Sequence, residues 1–526
     1  MIIPFARRAV PAAPVVLTTA AALGGVFVAW HYHRLGLTLS HYDARGHLVV
    51  ARRIADSLTP GWQQIGAVWL PLPHLLNAIP VQADLMYRTG ASGVAISIAS
   101  YAIAAGAIGW IVLMLTESAF AAAAGAVVFA LNPNVLYLQS TPMTEPLLLA
   151  TTTVAVAMLM VWCRGVPTLG GSDRFVGAEL APPAGRPRSA PTHRTVGWAF
   201  ALACLTRYEA WPVAASALAA AAWTRWRRDQ RIPAMARDIA GIAVYPALAI
   251  AGYAIFSRIV IGEWFLAGGF FVPENKALGD PVMAAAEIGW GARVLSGAPL
   301  TWLGATGMAI ALTLGLASRR RAEMLMPVAL LAMAAIPWTA FLDGHPFRIR
   351  YMVPLMAVEA IGAGLAAGVL PGRRLRAVCA SAILLLAAYE LRPLDASAPM
   401  VVEAQWDRPN TPVRARVTAC LGRPSRGEKI MASMGSLGHY MQEASASGFA
   451  IRDFLHEGNG DIWLAALQGP RPFVRWVLFE EKAEGGDMLA RIARERPSFL
   501  DGYQRVCEGA GLALYRREQG SLIPAP

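Results

Sequence analysis

The sequence predicts an α-helical integral membrane protein of about eleven transmembrane helices, followed by a small C-terminal extracytoplasmic α/β domain. Three observations carry this. The 526 residues are 56% hydrophobic and only 15% charged, against about 25% charged in a soluble protein. Apolar stretches long enough to cross a bilayer recur as far as residue 391, and their length is what a spanning helix requires. Beyond that point short apolar strands alternate with charged helical segments, the pattern of a small packed sheet domain.

The chain opens with Met1–Arg8 and an apolar run that reaches Trp30. This has the outline of a signal peptide, but no small-residue cleavage site closes it and the run is long enough to span, so it reads as an uncleaved first helix at 11–31. Further spans are expected at 91–115, 119–138, 146–163, 196–224, 238–260, 301–317, 325–342, 351–370 and 375–391. The 196–224 stretch divides into 196–206 and 210–224, because Thr206-Arg207-Tyr208-Glu209-Ala210-Trp211-Pro212 interrupts it. Such a break is tolerated in a membrane only where it lines a cavity.

Arginine sets the orientation. With Arg7 and Arg8 cytoplasmic, alternate loops are basic at 164–194, 225–237, 319–321 and 373–376, and only the turn near Glu117 is neutral. The N-terminus is therefore expected in the cytoplasm and the C-terminal domain in the periplasm or outside the cell. The net charge of +12 comes almost wholly from arginine, since the lysines are Lys276, Lys429 and Lys482. Arginine placed by topology explains the charge, so nucleic acid is excluded as a partner. The Ala-, Gly- and Arg-rich composition fits a bacterial inner (plasma) membrane protein.

The expected catalytic module covers 1–391 and the soluble domain 392–526. Residues 164–195 are rich in Pro, Gly and Ser and read as a flexible cytoplasmic loop. The first outer loop covers 32–90, where Leu48, Ala51, Ala55 and Leu58 share one helical face. That pattern predicts an amphipathic helix lying on the bilayer, with Trp62 and Trp69 as interface anchors. A second outer loop at 261–300, with Glu263, Trp264, Glu274, Lys276, Asp280 and Glu287, reads as a gate or lid. In the soluble tail, strands are expected at 429–434 and 473–479, helices at 436–444 and 486–496, and a hairpin from Tyr503 to Arg517. Of the five cysteines, Cys163, Cys204 and Cys379 lie in or beside spans and read as small buried hydrophobes. Cys420 and Cys507 lie in the tail, either as a disulfide or as two free thiols.

Charge beside a lipid-embedded segment is costly and needs a reason. Asp43 follows the first span in Ser40-His41-Tyr42-Asp43-Ala44-Arg45-Gly46-His47. It reads either as a helix N-cap, worth about 1 kcal/mol, or as a general base. Three more charged turns are expected at the same outer level: Pro142-Met143-Thr144-Glu145-Pro146, Arg207-Tyr208-Glu209, and Asp343-Gly344-His345-Pro346-Phe347-Arg348-Ile349-Arg350-Tyr351. Any one of them is an ordinary interface residue set; four at one level, with both signs, point to a site. Transfer of a sugar from a lipid phosphate needs a carboxylate to take the acceptor's proton. It also needs cations to hold the leaving phosphate, and the arginine fork suits phosphate oxygens.

The ordered set of Tyr42-Asp43-Ala44-Arg45, the Pro142–Pro146 turn, Leu205-Thr206-Arg207-Tyr208-Glu209 and Arg348-Ile349-Arg350-Tyr351-Met352-Val353-Pro354 resembles the GT-C superfamily of polyprenyl-phosphate-sugar-dependent glycosyltransferases. The branches it resembles most are the protein O-mannosyltransferases and the lipid A aminoarabinose transferase, over residues 10–390. The resemblance implies an inverting transferase with Asp43 as catalytic base. It also implies a polyprenyl-phosphate-linked sugar donor and a glycan, lipid or protein acceptor. Arg348 and Arg350 are the expected phosphate-binding pair, with Arg207 behind them. His41, Tyr42, His47, Glu145, Tyr208, Glu209, His345 and Tyr351 are the expected pocket. One departure stands out: many protein mannosyltransferases carry Asp-Glu where this chain has Asp43-Ala44, which puts a protein acceptor in question. Asp43, Glu145 and Glu209 would suit a hard divalent cation, although no spacing requires one. A transporter or flippase of lipid-linked glycans, or an envelope polymer ligase, is the alternative. No internal repeat supports the transporter.

Overall fold

The structure is a computed structural model that describes residues 12–65, 69–165, 191–229, 232–264, 275–425 and 427–518. The middle of the expected 164–195 loop, the centre of the 261–300 loop with Glu274, and the opening Met1–Arg8 lie outside the described residues. The chain divides into two compact units. One, the helical unit, gathers residues up to 29, 97–139 and 144–400; the other, the sheet unit, gathers 30–96, 140–143 and the chain from 401 onward. The tail expected to stand alone thus shares its unit with the first outer loop.

Among the described residues, seven helical stretches are long and apolar enough to cross a membrane: Ala12–Arg34, Ala91–Thr116, Glu145–Gly165, Ile232–Val260, Ala298–Ala317, Arg319–Leu342 and Ile349–Gly368. The other expected spans are also helical but shorter or more charged: Ala119–Ala130, His193–Cys204, Ala210–Asp229 and Arg373–Glu390. The single span expected at 119–138 is corrected to two helices. Asn132 ends the first and caps the Pro133–Leu138 helix by accepting the N–H groups of Asn134 and Val135, and Pro133 has no N–H with which to continue the first. The interruption expected near Arg207 is present, between Cys204 and Ala210. The Arg319–Leu342 stretch tightens into 3₁₀ turns over Ala329–Ala334, after Pro327 has removed one backbone donor.

Within the helical unit the Ala298–Ala317 and Leu355–Gly368 helices meet backbone to backbone. A side chain at Gly307 would collide with the Gly362 carbonyl, and one at Gly362 with that of Gly304. Small residues at such a crossing are how helices approach where the hydrophobic effect does not drive them together.

Among the described residues the sheet unit holds five strands: β1 (Ile430–Met431), β2 (Phe454–Leu455), β3 (Trp476–Glu480), β4 (Tyr503–Gly509) and β5 (Leu512–Arg517), in the order β2-β1-β3-β5-β4. β1 runs parallel to β2 and β3, while β5 is antiparallel to β3 and β4. The expected hairpin turns at Ala510 and Gly511, both at positive φ (51° and 83°), the twist that suits a two-residue connection. Alternation along the strands builds two cores. Met431, Leu455, Val477, Phe479 and Ala513 point to one, packed with Trp463 and Phe499. Ile430, Phe454, Leu478, Leu512 and Leu514 point to the other, with Leu437, Tyr440 and Met441 of the Met434–Ala444 helix. Leu48, Val49, Ala51 and Tyr87 of the first outer loop complete that second core.

This corrects the expected surface helix. The Tyr42–Arg52 helix is buried from Asp43 to Arg52, covered by the protein itself. Its apolar face meets the core of the sheet unit, and acidic side chains neutralise its arginines. Cys420 and Cys507 form a disulfide, joining the Thr411–Leu421 helix to β4.

Candidate active site

The first cluster lies on the Tyr42–Arg52 helix. His41 caps it: the backbone there is extended (φ −72°, ψ 129°) and His41 Nδ1 accepts the Asp43 N–H at 3.1 Å. The N-cap reading of Asp43 is therefore overturned, because the capping is done two residues earlier. The His41 ring stacks on Tyr42 at 4.7 Å, and its Nε2 lies 3.8 Å from the Glu403 carboxylate. Asp43 is buried, as are Arg45 and His47.

The loop's arginines serve the fold. Arg45 donates to Glu443 and to the Leu39 carbonyl, with Asp407 at 3.5 Å. Arg52 binds Asp56 at 2.9 Å and Asp84 at 2.7 Å, and lies 4.5 Å over the Tyr87 ring. Arg53 donates to the Gln64 carbonyl at 3.0 Å. Burial works against the Asp56 charge, but hydrogen bonds from Arg452 and Arg52 more than offset it and hold its pKa below the usual aspartate value.

A histidine pair stands on the same helix. His47 Nδ1 lies 3.1 Å from His74 Nε2, and His74 Nδ1 lies 3.1 Å from the Leu70 carbonyl oxygen. Trp69 packs on His47 with ring centroids 4.0 Å apart. His74 was not among the expected site residues. Its partner is 27 positions away in sequence, a separation that no local pattern reveals.

The second cluster belongs to the helical unit. Arg207 sits in the break between the His193–Cys204 and Ala210–Asp229 helices. Its guanidinium donates to Glu209 at 2.7 and 3.0 Å, to Glu145 at 3.0 Å and to Thr144 Oγ1 at 3.1 Å. Glu145 is wholly buried in the first turn of its helix, where the dipole also favours a negative charge. Three expected residues from two distant turns are thus brought together. Arg350 is close enough for its charge to act on Arg207, so two cations and two carboxylates balance.

Tyr208 turns to Tyr253, with the hydroxyls 3.1 Å apart. His345 donates from Nδ1 to the Pro346 carbonyl at 2.8 Å, and its Nε2 lies 3.4 Å from the Tyr351 hydroxyl. Burial, helped by the charges of Arg348 and Arg350, lowers the His345 pKa. The Arg350 guanidinium lies 5.1 Å over the Tyr351 ring; Arg350 is buried and Arg348 half-buried. Among the described residues, no group of three His, Cys, Asp or Glu side chains is arranged to hold a metal ion. Glu145 and Glu209 both direct oxygens at Arg207.

Buried ionisable groups thus stand at the ends of apolar helices, and the sheet unit is built from loop and tail. The structure is similar to the crystal structure of ArnT from Cupriavidus metallidurans in the apo state, with a TM-score of 0.54 at 14% identity over 95% of this chain and 97% of that one. It is likewise similar to ArnT from the same organism bound to undecaprenyl phosphate, with a TM-score of 0.52 at 14% identity and the same coverage. The likeness is one of fold. No family model matches the chain, and no curated protein does.

Proposed function

We propose that this protein is a membrane glycosyltransferase that moves a sugar from a polyprenyl phosphate to a hydroxyl acceptor, with inversion, at the outer face of a bacterial inner membrane. One observation carries the reading: nearly the whole chain shares its fold with ArnT, and one ArnT structure holds undecaprenyl phosphate. In this reading the Asp43 carboxylate takes the proton of the acceptor hydroxyl. The hydroxyl oxygen bonds to the anomeric carbon from the face opposite the phosphate. The sugar–phosphate C–O bond breaks, and the phosphate leaves with the electron pair.

Arg348 and Arg350 are assigned to the phosphate, where guanidinium forks match its oxygens. Arg207, already matched by Glu145 and Glu209, is assigned a supporting part. The N-terminus is assigned to the cytoplasm and the sheet unit to the periplasm. The Cys420–Cys507 disulfide favours an oxidising compartment.

The test is transfer or release of radiolabelled sugar from undecaprenyl-phosphate hexoses and pentoses by the purified protein. Asp43→Asn is expected to lower turnover by at least about a hundredfold, the scale of losing a general base. Arg350→Ala is expected to weaken donor binding with the fold intact. Near-normal turnover in Asp43→Asn, or no transfer from any donor by the unaltered protein, would defeat the proposal.

A further inference from the structure

Glu359 is an acid in an apolar place. It belongs to the Leu355–Gly368 helix, lies within the Ile349–Gly368 span and is 7% exposed. Its helix runs so close to Ala298–Ala317 that a Cβ at Gly304 would stand 2.6 Å from Glu359 Cγ. A charge in such surroundings needs a counter-ion, or it is given up by taking a proton. No cation is offered. Among the described residues Glu359 makes no ion pair, and no arginine, lysine or histidine charge acts on it. The elements packed against its helix carry Glu287 and an exposed Arg293 on Pro281–Ser296, and Arg373, Arg374, Arg376, Cys379, Tyr389 and Glu390 on Arg373–Glu390; Ala119–Ala130, Ala298–Ala317 and residues 325–334 carry no ionisable group. Glu390 reaches the Gly297 turn, where a Cβ would collide with its carboxylate, and it adds an anion rather than a counter-ion.

The hydrogen bonds fit a neutral acid. Thr301 Oγ1 lies 3.3 Å from Glu359 Oε2 and 3.0 Å from the Gly297 carbonyl oxygen. A hydroxyl has one proton to give, and a carbonyl can only receive it. With a proton on Oε2, Glu359 donates to Thr301 and Thr301 donates to Gly297, so each proton has an acceptor. A second hydroxyl, Ser296, also faces the carboxyl; its Oγ receives the Asn132 amide at 3.0 Å and lies 2.8 Å from Met356 Sδ. Two hydroxyl dipoles do not balance a full buried charge. Glu359 Oε1 is buried without a hydrogen bond, which costs a neutral carbonyl less than an anionic oxygen.

We propose that Glu359 is a proton-binding site within the helical unit: it holds one proton as a neutral acid and shares it in a hydrogen bond with Thr301, tying the Gly297 turn to the Leu355–Gly368 helix. Without that proton the carboxylate must draw in water, and water enters so close a crossing only if the helices part. The site is a latch that the proton closes and alkali opens. It does not depend on the transferase reading.

The test is infrared difference spectroscopy of the full-length protein in detergent at neutral pH, where an ordinary glutamate is ionised. The unaltered protein is expected to show the C=O stretch of a neutral carboxylic acid that Glu359→Gln lacks. Thr301→Val removes the acceptor of the proton and is expected to move that band to higher frequency; Thr301→Ser keeps the acceptor and is expected to leave the band in place. The threonine pair carries the spectroscopic test by itself should Glu359→Gln fail to fold. Melting temperatures read the latch. A carboxyl that keeps its proton only when folded stabilises less as pH rises above the ordinary glutamate value of about 4.3. The melting temperature of the unaltered protein is therefore expected to fall relative to that of Glu359→Gln as pH rises from about 6 to about 9. A neutral-acid band that survives Glu359→Gln unchanged, a band indifferent to Thr301→Val, or a difference in melting temperature that stays flat over that range would each overturn the proposal.

Discussion

His74 and His456 are both sealed inside the sheet unit, 1% and 0% exposed. Burial, with the charge of Arg53, pushes each pKa down to about 3. The unfolded chain takes up these protons near the ordinary histidine value of about 6.5, whereas the folded unit resists them. Below that pH the unfolded state therefore binds more protons, and stability falls as pH falls. Each histidine is expected to remove about 1.4 kcal/mol per pH unit between roughly pH 6.5 and 4. Asp56, whose pKa is held down by Arg452 and Arg52, begins to withdraw its own contribution only below the usual aspartate range. Urea unfolding followed by tryptophan fluorescence checks this. Stability should decline over that window and decline less in His456→Asn, and a flat profile would refute the assignment.

At the scale of elements, the crossing of the Ala298–Ala317 and Leu355–Gly368 helices offers the sharpest prediction. Gly307 meets the Gly362 backbone with no room for a side chain. Gly307→Val must push the helices apart or distort them, with an expected loss of about 1–3 kcal/mol or more, the usual scale of overpacking. Gly252, which has open space around it, is the control: Gly252→Ala should be neutral or slightly stabilising through helix propensity. A melting temperature in detergent that drops equally in both variants would argue against the close crossing.

The helices themselves were legible because apolar length is a local property. The break at Asn132-Pro133 was masked by apolar residues on either side of it. The Tyr42–Arg52 helix shows what periodicity leaves open. Leu48 and Ala51 mark an apolar face, but a face says nothing of what covers it, and a bilayer and a sheet demand the same pattern. β2 escaped because two residues make no pattern. In the candidate site, Glu145, Arg207 and Glu209 could be read because each marks the end of an apolar run. The His47–His74 pair could not, because a hydrogen bond across 27 residues leaves no trace in spacing.

At the scale of the whole chain, the sheet unit is assembled from segments far apart in sequence. Residues 401–518 contain all five strands but lack the helix whose Leu48, Val49 and Ala51 cover one face. That fragment alone is expected to expose Leu437, Tyr440, Met441 and Phe454 and to aggregate, since an uncovered apolar face of this kind is an association surface. Adding residues 30–96 in the same polypeptide, joined by a flexible linker, should give a soluble monomer. A soluble, cooperatively melting 401–518 fragment would show that the helix is dispensable.

This arrangement has a consequence for biosynthesis. The ribosome makes the covering helix first and the strands it covers several hundred residues later. At ordinary rates of elongation that interval lasts tens of seconds. Throughout it, a short oily segment must wait with Arg45 lacking its acidic partners Asp407 and Glu443, which are encoded several hundred residues later. The nascent chain therefore needs a holder, whether a chaperone or the insertion machinery, until the tail arrives to claim it.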